Sequence, residues 1–333
     1  VNMSQSSNDV IPTAICISAL IDMHRLLLPN LDLLIDTIGK KMLSTKGNVK
    51  TGRTHLMDAM PIDFSQELSA WKAQLESVKK SLTLATTRMN DLPQGGTAIG
   101  TGINSHKDFS KNFCLEVNKL TKFKTKPAKN FYQGLSSVDN AVELSSALKN
   151  LSIILSKICN DLRWMNSGPL TGLGEIELEA LQPGSSIMPG KVNPVIPEAV
   201  AMACADVVGN DLTISIAGQS GNFQLNVMLP VVAYNLLKSI NLLGNSMPLL
   251  ANKAIKTFKI NTSNIEESLS KNPILVTALN RLIGYTKAAA IAKKAYKDNK
   301  PIIEVAHEET GISVAELKKL LDPSKLTKGG IGG

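Results

Sequence analysis

Aromatic residues make up only 4% of this 333-residue chain, which also holds just four histidines and four cysteines. With so few rings, a core must be packed from Leu, Ile, Val, Met and Ala, which suits helices. Cys16, Cys114, Cys159 and Cys204 stand far apart and form no CxxC pair. That spacing argues against a zinc or iron–sulfur site and against a disulfide framework, and points to a reducing compartment. Cys159 and Cys204 sit among helical apolar residues, where a buried thiol is the ordinary explanation. No apolar run is read as long enough to span a membrane, and no basic-then-apolar leader opens the chain. Period-two alternation never persists long enough to build a sheet.

What is present is a globular composition, 43% hydrophobic and 19% charged, with length for two or three domains. The net charge of +8 raises nucleic-acid binding as a possibility. The lysines are scattered, however, and the densest group (Lys122, Lys124, Lys126, Lys129) matches no binding motif. A solvated lysine-rich surface is expected instead, congenial to an acidic substrate, with no nucleic-acid and no membrane partner.

Helical periodicity dominates, and the predicted class is all-α with long helices. After Pro61, Leu68, Trp71, Leu75, Val78 and Leu82 recur at alternating spacings of three and four, the pattern of helices packed in a bundle. Val142, Leu144, Leu148, Leu151, Leu155, Ile158 and Leu162 predict a helix apolar round more of its circumference. A third helix is expected from Pro197 and a fourth over Leu225–Leu243, with Pro230 either kinking it or marking its true start. Pro12–Leu28 reads as helical too. Beyond about Lys259 the helices shorten (Thr286–Lys297, Ile302–Glu309, Ser313–Leu321), separated by Gly284, Pro301 and Gly311. The division expected is a central bundle domain over 1–259, carrying the active-site loops, and a small C-terminal helical domain over 260–333, fraying at Gly329–Gly333.

Unusual residues cluster in four loops: Ser4–Asp9, Gly52–Asp58, Gly95–Asn104 and Ser167–Asn193. Ser6-Ser7-Asn8-Asp9 precedes a helix begun by Pro12 and Thr13, so it is either a helix cap or a carboxylate-binding set of donors at a positive helix end. His55 stands beside Thr54 in a polar loop. His24 and His307 have helical settings and His106 a lysine-rich loop, all three read as structural or solvated. Gly95–Gly102 lacks the Lys-Ser/Thr ending of a phosphate loop, and tight helix approach or a hinge is its expected role. Gly184-Ser185-Ser186-Ile187-Met188-Pro189-Gly190-Lys191-Val192-Asn193-Pro194 puts hydroxyls, a cation and an amide on a glycine-bounded mobile loop, suited to a small, multiply charged substrate. Glu198 follows, placed either to complement a helix dipole or to orient a histidine for acid–base work.

In this order, Ser-Ser-Asn-Asp, Gly-Arg-Thr-His, Gly-Gly-Thr-Ala-Ile-Gly-Thr-Gly, Gly-Leu-Gly-Glu-Ile, Gly-Ser-Ser-Ile-Met-Pro-Gly-Lys-Val-Asn-Pro, Gly-Asn-Asp and Gly-Asn-Phe-Gln-Leu-Asn-Val cover essentially the whole chain. The series resembles the fumarase/aspartase superfamily, most closely its class II fumarases. The resemblance implies a long-helix bundle, a homotetramer whose active sites each take loops from three subunits, and a cytoplasmic or mitochondrial-matrix enzyme. It further implies reversible anti addition of water to fumarate, giving L-malate, with no metal and no cofactor. By motif position it makes Ser185 the base for the carbon-bound proton, with His55, oriented by Glu198, handling the water. Lys191, Asn193 and Thr54 fall at one carboxylate, and Ser6, Ser7 and Asn8 at the other.

The nearest alternative is aspartate ammonia-lyase. Gly190, Gly174 and Gly221-Asn222-Phe223 favour fumarase, and His55 leans the same way. Two departures from the family pattern stand out. Leu170 follows Ser167-Gly168-Pro169 where an arginine is usual, and the N-terminal domain expected ahead of Val1 is absent from this sequence. A chain of this extent is expected to expose apolar surface. A non-catalytic, assembling core fragment is therefore the second alternative.

Overall fold

The computed structural model describes residues 5–330. Ser4, from the stretch Ser4–Asp9, and residues 331–333 of the tail expected to fray lie outside the described residues. In chain order the helices and strands are α1 (Ser7–Asp22), α2 (Leu28–Ser44), β1 (Val49–Thr54), β2 (Met57–Asp63) and α3 (Phe64–Arg88). There follow β3 (Asp91–Leu92), α4 (Phe109–Thr121), β4 (Lys126–Pro127), α5 (Phe131–Ser136), α6 (Asp139–Met165) and β5 (Ile176–Glu177). Next come α7 (Val195–Gly218), α8 (Leu229–Leu250), β6 (Lys259–Ile260) and α9 (Thr262–Lys271). The last are α10 (Asn280–Ile283), α11 (Tyr285–Asp298), α12 (Ile302–Thr310), α13 (Val314–Leu320) and α14 (Pro323–Leu326). A π-helical turn, Met23–Leu27, joins α1 to α2. The class is all-α, as the periodicity requires: Leu68, Trp71, Leu75 and Leu82 of α3 and Leu144, Leu148, Leu151, Leu155, Ile158 and Leu162 of α6 are fully buried.

Local chemistry moves several helix starts away from the prolines. Ser6 Oγ accepts the Asn8 N–H (3.1 Å) while Asp9 Oδ1 accepts the Ser6 N–H (3.0 Å). This reciprocal cap satisfies two of the donors that a helix start leaves free, so α1 begins at Ser7 and Pro12 lies inside it. Likewise α7 begins at Val195 rather than Pro197, which sits in the first turn where a missing N–H is harmless. Pro230 marks the start of α8 and does not kink it.

The chain divides into two compact units. The first comprises residues up to Thr37, Lys72–Asp161 and Ala180–Ile255. Within it α7 and α8 pack along each other, joined by Asn210 Nδ2 donating to Ser239 Oγ (3.1 Å). The buried Asp211 of α7 accepts from Ser145 Oγ (2.7 Å) and pairs with Lys149 Nζ (2.6 Å), both on α6. Two helical stretches, Ser7–Ser44 and Val195–Gly218, are long and apolar enough to cross a membrane by length and composition, contrary to the expectation of no such run. Counting charges along them conceals that carboxylates such as Asp9 and Asp211 are buried with partners inside the unit.

The second unit gathers Ile38–Trp71, Leu162–Glu179 and Lys256–Gly333, so the contacts do not follow a single cut at residue 259. Its core packs Leu269, Leu275, Leu279, Ile291, Val305 and Leu317, with Val49 of β1 against them. Polar links tie the three segments together: Glu175 to Lys50, and Asn272 to Thr51 and the Ala59 carbonyl. The stretch Gly52–Asp58, read as a loop, belongs to the antiparallel hairpin β1–β2, with partners Val49 with Asp63 through Thr54 with Met57. Its strands lack clean alternation because a register shift between Thr51 and Arg53 breaks the period of two.

Candidate active site

In the first unit, Ser6 spends its hydroxyl lone pair on the cap of α1, so the capping role holds for that residue. Ser7 opens the helix and is exposed, and Asn8 is half-buried. Asn8 Nδ2 donates to the Ala98 carbonyl (2.8 Å), which joins this segment to the glycine-dense stretch Gly95–Gly102. Asp9, fully buried, completes the junction by accepting the N–H groups of Gly95 (2.9 Å) and Thr97 (3.0 Å). Gly95–Gly102 is therefore a docked support for the segment that was read as carboxylate-binding. The capping part of Asp9 was within reach of the sequence, three residues after Ser6, whereas its bonds to Gly95 and Thr97 carry no local signal.

The Gly184–Pro194 stretch has no helix or strand, yet it closes on itself. Gly184 N donates to the Lys191 carbonyl (2.8 Å), and Asn193 Nδ2 donates to the Gly184 carbonyl (2.9 Å). Inside this ring, Ser185 Oγ accepts two backbone N–H groups, from Ile187 (3.2 Å) and Met188 (3.0 Å). Two converging N–H dipoles lower the energy of negative charge on that oxygen. Lys191 is exposed, and Glu198 is half-buried in the first turn of α7 with its N–H bonded to the Pro194 carbonyl (3.2 Å). Ile187 and Met188 are exposed apolar residues on the same loop.

Thr54 and His55 belong to the second unit, where both are exposed at the tip of the β1–β2 hairpin. His55 and Leu56 form the two-residue turn and both take positive φ, 56° and 60°. That is the left-handed pair a primed hairpin turn requires, usually supplied by Asn-Gly. For residues with a Cβ it costs roughly 1–2 kcal/mol each. Backbone held in a disfavoured region is a mark of sites where placement matters. Leu170, also in this unit, is an uncharged side chain 94% exposed.

Among the described residues, no group of three or more His, Cys, Asp or Glu side chains is placed to hold a metal ion. A cavity of about 160 Å³ in the first unit, lined by Pro12, Ile15, Cys16, Asp91 and Leu229 among others, includes none of the expected site residues.

Residues 1–209 match the family model described as "Lyase", and residues 275–328 match "Fumarase C C-terminus". A class II fumarate hydratase of Pseudomonas aeruginosa is 57% identical over 331 residues, 99% of this chain and 72% of that protein. The chain belongs to the class II fumarate hydratase family. A second family member, from Xylella fastidiosa, is 56% identical over 99% of this chain and 70% of its own length. Among solved structures, the class II fumarase of Schistosoma mansoni superposes with a TM-score of 0.94 at 35% identity, over 98% of this chain and 71% of that one. The fumarate lyase:delta crystallin of Brucella melitensis, bound to cobalt, gives 0.93 at 39% identity, over 98% and 70%. The long-helix architecture and the lyase membership are thereby established together.

Proposed function

We propose that this chain hydrates fumarate reversibly to L-malate by anti addition of water, without a metal or cofactor. The single observation that carries the reading is the pair of N–H groups on Ser185 Oγ. A serine hydroxyl is too weak a base to take a carbon-bound proton; only its ionised form can, and two backbone dipoles make that oxyanion easier to form. In the direction from malate, Ser185 accepts the proton on the carbon next to a carboxylate, and the electron pair moves into that carboxylate. Lys191, Asn193 and Thr54 then stabilise the resulting dianion, and Ser6, Ser7 and Asn8 bind the other carboxylate. His55, oriented by Glu198, gives a proton to the departing hydroxyl, which leaves as water from the opposite face. The same groups run the addition in reverse.

The proposal includes a homotetramer in which each site takes loops from three subunits, in a cytoplasmic or mitochondrial-matrix setting, as a step of the tricarboxylic acid cycle. Support comes from an exposed stripe on α7, Met202, Ala205, Gly209, Leu212 and Ile216, at alternating spacings of three and four. Such a seam, apolar with small residues interleaved, suits another long helix. The aspartate ammonia-lyase reading is set aside because relatives at 57% and 56% identity are named fumarate hydratases.

The deciding assay follows fumarate loss at 240 nm, with ammonia release from aspartate as the control. Hydration is expected, and Ser185→Ala should lower kcat by about 10²–10⁴-fold. Sustained ammonia release without hydration would replace this reading by the lyase one. No turnover from a folded, assembled chain would replace it by the scaffold one.

A further inference from the structure

The His55–Leu56 turn works against its own backbone preference, so something else in the second unit must hold it. The strand that leads into it supplies two cations, Lys50 and Arg53, and both converge on one carboxylate. Lys50 Nζ lies 2.7 Å from Glu175 Oε2, and Arg53 Nη1 donates to Glu175 Oε1. All three side chains are withdrawn from solvent, with 5%, 18% and 4% of the Lys50, Arg53 and Glu175 side chains exposed. Glu67 of α3 completes the arrangement, 2.7 Å from the same Lys50 nitrogen, and the Phe64 ring faces that ammonium at 4.7 Å.

Glu175 is itself fixed at both sides of its backbone. Its N–H donates to the Met165 carbonyl at the end of α6 (2.8 Å), and its carbonyl accepts the Asn261 N–H (2.9 Å). A carboxylate anchored in this way is a stationary post rather than a surface partner that follows the hairpin. Arg53 is two residues from His55 and pairs across the hairpin with Asp58, so a displacement at Arg53 is passed directly to the turn. On the other side, Asn272 Nδ2 holds the Ala59 carbonyl (2.8 Å) and lies 3.3 Å from Thr51 Oγ1.

We infer that Glu175 is a positioning residue for His55, acting through Lys50 and Arg53 to hold the hairpin tip in its left-handed turn. The inference rests on the proposed role of His55 in handling water, and deepens it. Glu175 touches no reacting atom in this scheme. Its chemistry is that of a buried anion whose two cationic partners both lie on one strand. Removing its charge leaves Lys50 with Glu67 and leaves Arg53 without its carboxylate, which frees the end of β1 nearest the tip.

The test uses the full chain with histidine ring carbons labelled for NMR. Only His24, His55, His106 and His307 contribute, and loss of one signal in His55→Asn identifies His55. In Glu175→Gln the His55 signal should shift or broaden while the other three stay in place. The value of kcat should fall by about 10–100-fold, the scale of an ångström-level misplacement, with KM within about twofold. In a His55→Asn background, Glu175→Gln should lower the residual rate by less than about twofold, since residues that act through one another are not additive. Arg53→Lys, which leaves Lys50–Glu175 in place, should reproduce the His55 signal change if Glu175→Gln fails to fold. Glu175→Asp, which keeps the charge, should recover part of the lost kcat.

The idea is overturned if the folded variants leave the His55 signal at its wild-type position, or if Glu175→Gln lowers the rate equally with and without His55. A wild-type chain that does not hydrate fumarate would remove the proposed function. The His55 signal would still decide whether Glu175 sets the turn.

Discussion

Asp9 Oδ2 accepts the backbone N–H of Thr97 at 3.0 Å, reaching across 88 positions of sequence. The same oxygen takes the Gly95 N–H and lies 3.3 Å from Gln94 Nε2, while the other carboxylate oxygen caps α1. One fully buried side chain thus fixes both the Ser6–Asn8 segment and the stretch that supports it.

Asp9→Ala is therefore expected to leave several buried donors without an acceptor, and each such group costs roughly 1–3 kcal/mol. A loss on the order of 3 kcal/mol in urea unfolding is the expected outcome. Asp9→Asn should lose less, because one amide oxygen can still accept. A midpoint unchanged from wild type in Asp9→Ala would show that the junction contributes nothing.

Two glycines of the Gly184–Pro194 loop should behave oppositely on replacement by alanine. A Cβ on Gly184 would lie 2.4 Å from the Lys191 carbonyl oxygen, so the ring around Ser185 has to open. Gly184→Ala should reduce kcat/KM by about tenfold or more, through displaced Ser185. Gly190 has φ of 81° and open space around its Cβ position, so Gly190→Ala meets only the backbone penalty of roughly 1–2 kcal/mol. Its kcat/KM should lie closer to wild type than that of Gly184→Ala. Steady-state kinetics on both variants gives the comparison.

Much of this was legible in advance, for identifiable reasons. Leu68 to Leu82 announced α3 because an a/d repeat is written in the spacing of apolar residues, and the Ser6–Asp9 spacing carries a cap within four residues. The β1–β2 hairpin was invisible because its turn, His55-Leu56, has none of the residues that normally take positive φ. Its side-chain partners Glu175 and Asn272 lie far away in sequence, where no local window includes them. The start of α7 was placed two residues late because a proline is a conspicuous mark, whereas the actual boundary depends on backbone geometry at Pro194.

The α7 stripe offers a test of assembly that does not involve catalysis. Leu212, 62% exposed, should tolerate a charge in an isolated chain but not within a helix–helix seam. If the proposed tetramer forms through this stripe, Leu212→Glu is expected to shift the mass measured by light scattering toward smaller species while the helical signal in circular dichroism is retained. An unchanged mass would place the subunit contact elsewhere.

Thiol chemistry should follow burial. All four cysteines are buried, and none is joined in a disulfide. Burial pushes the Cys16 thiol up to about 12, aided by the nearby Asp91 carboxylate, and the Cys204 thiol up to about 11. A raised value keeps the neutral thiol, the poor nucleophile, at pH 7 to 9. Iodoacetamide at pH 8 should therefore leave Cys16 and Cys204 unlabelled in the folded chain and modify both in urea, as peptide mass spectrometry would show. Rapid labelling of Cys16 without denaturant would contradict the buried placement of α1.

The second unit is assembled from three separated segments, and this has a consequence for biosynthesis. Thr51 must wait for Asn272, 221 positions further along the chain. At 5–20 residues per second, that is roughly 10–40 s of translation during which Thr51 and the Ala59 carbonyl lack Asn272. The last helices to leave the ribosome thus complete the core on which an early hairpin depends. A nascent chain stalled before Asn272 would hold the hairpin through Glu175 without the Asn272 link on Thr51 and Ala59.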